Sequence, residues 1–514
     1  MMPALTSAIS GLQNNTTWMD VIGDNIANVS TVGYKETRIT FKEAISQTIG
    51  AASGSDTANN MGGVNPEQLG LGVTLGSLDT IMTQGSIQTT GNSTDVAIQG
   101  NGFFVLKEGN TTAYTRAGNF YFDNDGNLVN SSGALVQGWM RQYTKLAQPA
   151  VPLVAVTNTL STNGPLTNIV IPQNMVLAPQ ATGDVNAAAN ANIQTGIYLK
   201  GNLDSMTPQN MVGGVANAGP GVAYPVAGYT PDATNSATVY DSLGNAHVIV
   251  FEWTQTTVRP GGAAVWNWSA FDTGSNGQLA IPGGGVAIAG DAVNVGSGTG
   301  VTFNSDGSLA SSGVWQNPTA GATVPEIRLI VANADGSFTP QNISVNMGTD
   351  NAQSATGIGA RDGLTGDYGN GTIDTTTNVY QPKQTIYTSY VDGYAEGTLT
   401  GMSIDSQGNL NCSFSNNQTI AMAQLGLANF TNPEGLDKAG ATTFLQSANS
   451  GLPEISTAGN AGLGTTEGGA LESSNVDLSV ELTNMIVAQR GFDANSRIVT
   501  TASQMLTTLV QLGQ

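Results

Sequence analysis

Apolar residues recur at helical spacing at both ends of the chain and alternate with polar ones in between. Near the start, Leu5, Ile9, Leu12, Thr16, Met19, Gly23 and Ile26 follow one another at steps of four and three. That stripe predicts an amphipathic helix over 3–28, apolar along one line except at Thr16 and Gly23. Pro3 suits a first helical turn, and Gln13, Asn14, Asn15, Asp20 and Asp24 occupy the other faces. The stretch ANVSTVGYK, 27–35, ends the helix, with Gly33 free to take a positive φ. A second helix is predicted over about 475–512. Ser473, Ser474, Asn475 and Asp477 offer caps, and Glu481 places acid near its N-terminal end. Leu478, Leu482, Met485, Gln489, Phe492, Ser496, Val499 and Leu506 carry its stripe; Ile498, Ala502, Met505, Leu509 and Leu512 take it up one residue out of phase. Two such helices offer little core of their own. Their stripes are buried either on each other or, the sharper reading, between chains.

The middle reads as β. VAIQGNGFFVLKEG, TAYTRAGNFYF, ATVYDSLGNAHVIVFEW, EIRLIVANADGSFT and GTLTGMSIDSQGNLNCSF alternate and then turn. One turn recurs: DNDGN at 123–127, DSLGN at 241–245, NSDGS at 304–308, NADGS at 333–337 and DSQGN at 405–409. Asp or Asn opens it and Gly takes the left-handed position. DNDGN is not a calcium loop, since its twelfth position is Ala134 where a Glu is needed. Two small, polar stretches, 50–66 and 456–470, mirror each other inside the helices and read as linkers. The layout is therefore nested. Residues 1–34 with 472–514 form a helical unit, 35–72 with 440–471 a linker region, and 73–145 with 381–439 a β domain. Residues 146–380 form one or two outer β domains.

Composition narrows the function. The 514 residues carry a net charge of -21, which excludes the clustered Lys and Arg that nucleic-acid binding requires. Cys412 is the single cysteine, so neither an intrachain disulfide nor a cysteine zinc cluster can form; its strand context predicts burial. His247, the single histidine, lies in an alternating strand and reads as a strand residue, not a catalytic base. GGGVAIAGD at 283–291 lacks the Lys-Ser/Thr of a phosphate loop. Trp253, Trp266 and Trp268 sit at strand positions that favour packing over sugar stacking. No catalytic residue, metal or cofactor is expected. No apolar stretch is long enough to span a membrane. The N-terminus has no basic region before its apolar positions and does not read as a cleaved Sec signal.

Several stretches together resemble the bacterial flagellar axial family of rod and hook proteins. Asn25, Ile26, Ala27, Asn28, Val29, Ser30, Thr31, Gly33, Tyr34 and Lys35 match its opening signature. QGSIQTTGNSTDVAIQGNGFFVL at 84–106 and YTRAGNFYFDNDGNLVNSSGALVQGW at 114–139 resemble its following blocks. TSYVDGYAEGTLTGMSIDSQGNL at 388–410, AQLGLANFTNPEGLDKAG at 423–440 and the segment 472–512 close the match. That last segment includes Ser474, Asn475, Val476, Asp477, Gln489, Arg490, Ala494 and Asn495. The long middle, with ATVYDSLGNAHVIVFEW at 237–253, resembles the hook group more than the shorter distal rod group.

The resemblance implies a mainly β protein whose terminal helices line a tube as a coiled coil. It implies a structural subunit that polymerises with itself into a flexible tube, a universal joint passing torque from rod to filament in motility. Implied partners are rod, hook-cap and hook–filament junction proteins and the flagellar type III export apparatus. Export would need no cleaved Sec signal. In that setting Tyr34 and Lys35 are expected to meet a neighbouring subunit or the C-terminal helix, and Gly33→Val to impair assembly more than folding. A secreted β-rich adhesin and a glycan-active enzyme are the readings from other classes. The first would need a Sec signal and no terminal stripes; the second would need a paired-acid cleft.

Overall fold

The fold is that of a computed structural model. It describes residues 2–54, 62–146, 153–156, 160–183, 196–203, 231–257, 265–273 and 385–512. Between 280 and 381 it describes the segments 280–281, 285–286, 293–303, 309–311, 314–315, 326–332, 338–347, 364–365, 372–374 and 379–381. The predicted turns at 304–308 and 333–337 lie outside the described residues.

The chain is mainly β between two terminal helices, α1 (Met2–Ala27) and α2 (Leu478–Leu512). They run antiparallel. A methyl group on Gly11 would sit 2.5 Å from Asn495 Nδ2, one on Gly491 would sit 2.9 Å from Asn15 Nδ2, and Asn25 Nδ2 donates to Glu481 Oε1 at 3.4 Å. The line of closest approach thus runs through small and polar residues, and the apolar side chains buried on the two helices are Ala8, Ile22, Ala488 and Ala502, not Leu5, Ile9, Leu12, Leu478, Leu482 or Phe492. On α1 the contact positions are 11, 15 and 25, each one residue before the predicted 12, 16 and 26; on α2 they are 481, 491 and 495, one before 482, 492 and 496. One residue is about 100° of helix rotation. Glycines at 11 and 491 let the backbones approach closely, and the stripes through Leu12 and Leu482 turn aside; the phase-shifted stripe of α2 keeps the seam's line, with Ala502 buried.

The other flank of α1 rests on an antiparallel hairpin, Thr37–Glu43 with Val73–Thr80. Asn14 Nδ2 donates to Val73 O at 2.8 Å, and Trp18 meets Phe41 edge-on at 6.0 Å. A boundary at 72/73 therefore cuts through a paired element: Val73–Thr80 belongs with the hairpin.

The inner β domain is one continuous sheet assembled from both halves of the chain. Its order runs through Leu153–Val156, Val176–Leu177, Gly397–Ile404, Asn409–Phe414, Thr419–Leu425, Leu135–Met140, Phe103–Glu108, Thr111–Thr115 and Thr443–Leu445. Its core gathers Phe104, Leu106, Phe120, Leu128, Ile169, Leu410, Cys412, Met422 and Leu425. Two expectations are corrected here. Residues 440–471 are not a linker: Thr443–Leu445 pairs with Thr111–Thr115, Glu454–Ser456 with Leu427–Asn429, and Thr465–Gly468 with Val96–Gln99. Strand pairing depends on backbone hydrogen bonds, which a Gly/Ser/Thr sequence makes as well as any other. Likewise, Leu153–Val156 and Val176–Leu177 extend the inner sheet, while Tyr387–Val391 pairs with Ile197–Asn202 in the outer region.

The outer region packs two sheets face to face. Ala233–Tyr240, Ala246–Thr257, Val265–Asp272 and Val293–Phe303 form an antiparallel sheet. Opposite lie Ile197–Asn202, Glu326–Ala332, Phe338–Asn346 and Tyr387–Val391. Trp253, Trp266 and Trp268 are fully buried between the two sheets.

The recurrent turns share one mechanism. Asp123, Asp241 and Asp405 each accept, through Oδ1, the backbone N–H groups two and four residues on, and through Oδ2 the side chain of Asn127, Asn245 or Asn409. Asn130 builds a fourth turn of the same kind on Ser132 and Ala134.

Candidate functional site

The end of α1, the start of α2 and the inner sheet meet at one polar junction, and most of the N-terminal motif is spent building it. Asn28 closes the helix: its Nδ2 donates to Asp24 O at 2.9 Å, and Thr31 Oγ1 donates to Asn28 Oδ1 at 3.1 Å. Asn25 imitates a strand partner. Its Nδ2 donates to Thr37 O at 2.9 Å while its Oδ1 accepts Thr37 N–H at 3.0 Å. Asn475 does the same for the returning chain, accepting Glu36 N–H at 2.7 Å and donating to Ile81 O at 2.9 Å. Ile26 and Thr31 are half-buried and Ala27 is exposed, so this part of the motif shapes the turn more than the core.

Gly33 sits at φ +68° and touches the inner sheet. A Cβ there would lie 2.5 Å from Ala117 N, and its own N–H donates to Glu472 O at 2.8 Å. Tyr34 OH donates to Asp24 Oδ2 at 3.0 Å, and the Lys438 ammonium stands 5.2 Å over its ring. Burial, then the hydrogen bond and charge of Asp24, raise the Tyr34 hydroxyl well above the ordinary tyrosine range. Lys438 Nζ also donates to Thr37 Oγ1 at 2.7 Å.

At the centre is a buried charge cluster. Lys35 Nζ lies 2.6 Å from Glu472 Oε1 and donates to Thr83 O at 2.7 Å. Arg116 Nη1 lies 3.3 Å from Glu472 Oε2, and its Nη2 donates to Gly100 O at 2.8 Å. Gly85 N–H completes the shell on Glu472 Oε1 at 2.9 Å. Lys35 and Glu472 side chains are wholly buried and Arg116 nearly so. One carboxylate thus holds two cations. Burial pulls Lys35 and Arg116 below their ordinary ranges, and the Glu472 charge pushes both back up. The expectation that Lys35 meets a neighbouring subunit or the C-terminal helix is corrected. It is buried inside its own chain, on a carboxylate six residues ahead of α2.

Sequence reasoning named neither Glu472 nor Arg116. The available signal was rarity: only 10% of the chain is charged, and Arg116 stands in the otherwise uncharged strand segment TAYTRAGNF. Glu481, expected as acid at the helix end, is not simply a surface charge. It is buried beside Asn25, and burial together with the Glu36 charge raises its carboxyl, against the pull of the Asn25 hydrogen bond.

The remaining predicted residues fall on α2 and its approach. Ser474 Oγ accepts Val476 N–H at 3.3 Å, Val476 is buried, and Asp477 caps α2 by accepting Ser479 N–H at 2.8 Å. Gln489, Arg490 and Ala494 are exposed, and Asn495 is at the helix seam. Of the apolar stripes, Leu5, Leu12, Met19, Met485, Val499 and Leu506 are half-buried, whereas Ile9, Leu478, Leu482 and Phe492 are exposed, the last three at 43%, 46% and 36%. The Leu509 side chain lies outside the described residues. Val480, Ile486 and Val487 add to this exposed apolar surface. Among the described residues no helix is long and apolar enough to cross a membrane.

Four family profiles match in chain order. "Flagella basal body rod protein" matches 5–35, and "Flagellar hook protein FlgE/F/G D1 domain" matches 97–198. "Flagellar basal body protein FlaE D2 domain" matches 225–394, and "Flagellar basal body rod FlgEFG protein C-terminal" matches 467–512. The flagellar hook protein FlgE of Treponema pallidum is 36% identical over 100% of both chains. That of Borreliella burgdorferi is 33% identical, again over 100% of both. The flagellar basal-body rod protein FlgG of Bacillus subtilis is 52% identical, but over 26% of this chain and 50% of its own.

Proposed function

The chain belongs to the flagellar hook protein family and is a structural subunit of the hook, and from that premise we propose how it assembles and with what. Copies polymerise into a tube through the apolar stripes of α1 and α2. The observation that carries this is the rotation of the seam. The helices meet through Gly11, Asn15, Gly491 and Asn495, and so leave Leu478, Leu482, Ile486 and Phe492 exposed beside it. Apolar surface of this extent is worth burying at about 25 cal/mol per Å², and head-to-tail burial that does not close a ring gives a tube.

The junction around Glu472 has a separate task in this reading. It holds the helices at a fixed exit from the inner sheet, so that the tube wall and the outer domains move as one subunit. The outer β surfaces, low in charge and rich in Gly, Asn and Thr, suit weak contacts that slide between near-equal states as the tube bends and turns. The partners in this reading are other copies of the chain, the rod, hook-cap and hook–filament junction proteins, and the flagellar type III export apparatus. No catalytic role belongs to it. The distal-rod alternative is less favoured, because the rod-protein similarity covers 26% of the chain and the hook-protein similarity all of it.

The test is electron microscopy of the concentrated full chain beside a version lacking 2–27 and 478–512. The cuts follow the helix ends because 440–471 belongs to the inner sheet. Tubes from the full chain alone are expected. Tubes from both would mean that the β domains carry assembly and would refute the helix reading.

A further inference from the structure

The chain crosses twice between the inner and outer β domains, outward through 179–183 and back through 392–396. The crossings bridge at Gln180 and Tyr394, whose N–H groups each donate to the other's carbonyl at 3.0 Å. The turn 241–245 leans on this neck. Thr182 N–H donates to Tyr240 O at 2.9 Å, and Tyr240 N–H donates to Thr182 Oγ1 at 2.9 Å. A Cβ on Gly244 would stand 2.6 Å from Pro179 Cβ.

Asp241 holds the turn, and its Oδ2 also lies 3.5 Å from His247 Nε2. On the other side of the ring, His247 Nδ1 is 2.8 Å from Asp272 Oδ2. All three side chains are at least 94% buried. Strand alternation explains the cluster. His247 continues the inward face of Ile249, Phe251 and Trp253, Asp272 that of Trp268 and Ala270, and Asp241 that of Ala237 and Val239. Three strands therefore end their apolar face in one imidazole between two carboxylates.

We propose that protonated His247 is the clamp that fixes the turn 241–245 against the neck, so that loss of its proton loosens the outer domain on the inner one. A neutral imidazole that donates from Nδ1 to Asp272 turns a lone pair toward the Asp241 carboxylate; the charged ring keeps that hydrogen bond and sets a positive charge 3.5 Å from Asp241 Oδ2, where Nε2 otherwise has no hydrogen-bond partner. Among the described residues, the charged groups in ion-pair range are Asp241 from the turn and Asp272 from the neighbouring strand. Glu252 lies on the opposite face of the histidine's own strand, and the facing sheet contributes the uncharged Gln341, which donates to Thr182 O and Tyr240 O at 2.9 and 3.0 Å. Burial opposes the charge, but the hydrogen bonds and charges of Asp272 and Asp241 outweigh it and raise the imidazole above its ordinary value. The stabilisation is thus complete below the unfolded pKa, about 6.5, and is lost as pH rises through the folded one.

With one histidine in the chain, the imidazole carbon signals of the full chain labelled with ¹³C-histidine report this site alone. They are expected to titrate above about pH 6.5. Hydrogen-exchange protection at 180–182 and 394, corrected for intrinsic rates, is expected to fall through the same pH range. The fall is about tenfold for each unit by which folding raises the pKa. His247→Gln is expected to be loose at every pH and to lose that dependence. An imidazole titrating at or below about 6.5, or neck protection in His247→Gln equal to wild type throughout, would overturn the proposal. Should that variant fail to fold, Asp272→Asn is expected to lower the imidazole pKa and move the loosening to lower pH; an unmoved transition would overturn it equally.

Discussion

Replacing Glu472 with Gln removes a charge without removing volume, so it isolates the electrostatics of the junction. In the native chain this one carboxylate stands 2.6 Å from the Lys35 ammonium and 3.3 Å from the Arg116 guanidinium, with all three groups buried. The amide leaves two buried cations with no counter-charge, and at least one of its two ends is mismatched, since an NH₂ group cannot accept from either. Breaking a buried pair by removing one partner costs about 3–5 kcal/mol. Here the upper half of that range applies, because two cations lose the same partner. Such a loss is a large share of a domain stability of about 5–15 kcal/mol. Lys35→Met makes the contrast: it leaves Glu472 paired with Arg116 as a neutral couple, and is expected to cost less than Glu472→Gln. The assay is urea unfolding of the monomer, with hydrogen exchange at Gly85, whose N–H rests on the Glu472 carboxylate. Glu472→Gln within about 0.5 kcal/mol of wild type, or less damaging than Lys35→Met, would refute the account of this cluster.

Gly33→Val, expected from the sequence to impair assembly more than folding, should destabilise the monomer too, because Gly33 packs within its own chain. A left-handed β-branched residue costs about 1–2 kcal/mol, and its Cβ would collide with the backbone at Ala117; an unchanged urea midpoint would refute this. The double change Leu482→Ser and Ile486→Ser, both at exposed positions, should leave monomer stability within about 1 kcal/mol yet abolish tubes in electron micrographs. Persisting tubes would exclude that stripe. Ala488→Leu, at a fully buried position of α2, should overpack its site by about 1–3 kcal/mol, read as lost protection in both helices by hydrogen exchange. Cys412 is buried and its thiol is pushed up to about 12, so the native chain should resist a thiol reagent at pH 8 and react fully only in denaturant; rapid native labelling would contradict its placement in the inner core.

Much of the chain was legible without coordinates because its signals are local. Helix periodicity marked both terminal helices, and alternation marked the strands. The Asp-x-x-Gly-Asn turns carry their own hydrogen bonds, so their residues determine them wherever they occur. The burial of the three tryptophans followed from the same two-residue period. The N-terminal motif could be recognised, too, since the residues that end a helix lie within a few positions of one another.

What the tertiary structure decided was which distant residues share a space. Periodicity shows that a helix has an apolar line, but not which line faces its partner; close approach at Gly11 and Gly491 decided that, about 100° away. Segment 440–471 looks like a linker because strand pairing uses backbone groups that every residue carries, and the sheet conscripts it. Lys35, Arg116 and Glu472 are separated by up to 437 residues, and nothing in a one-dimensional pattern says that one carboxylate holds two cations. Nor does it say that the lone histidine ends an apolar face between two aspartates. The sequence determines elements because their forces act between near neighbours; sites and seams arise from burial, which exists only once the chain has folded.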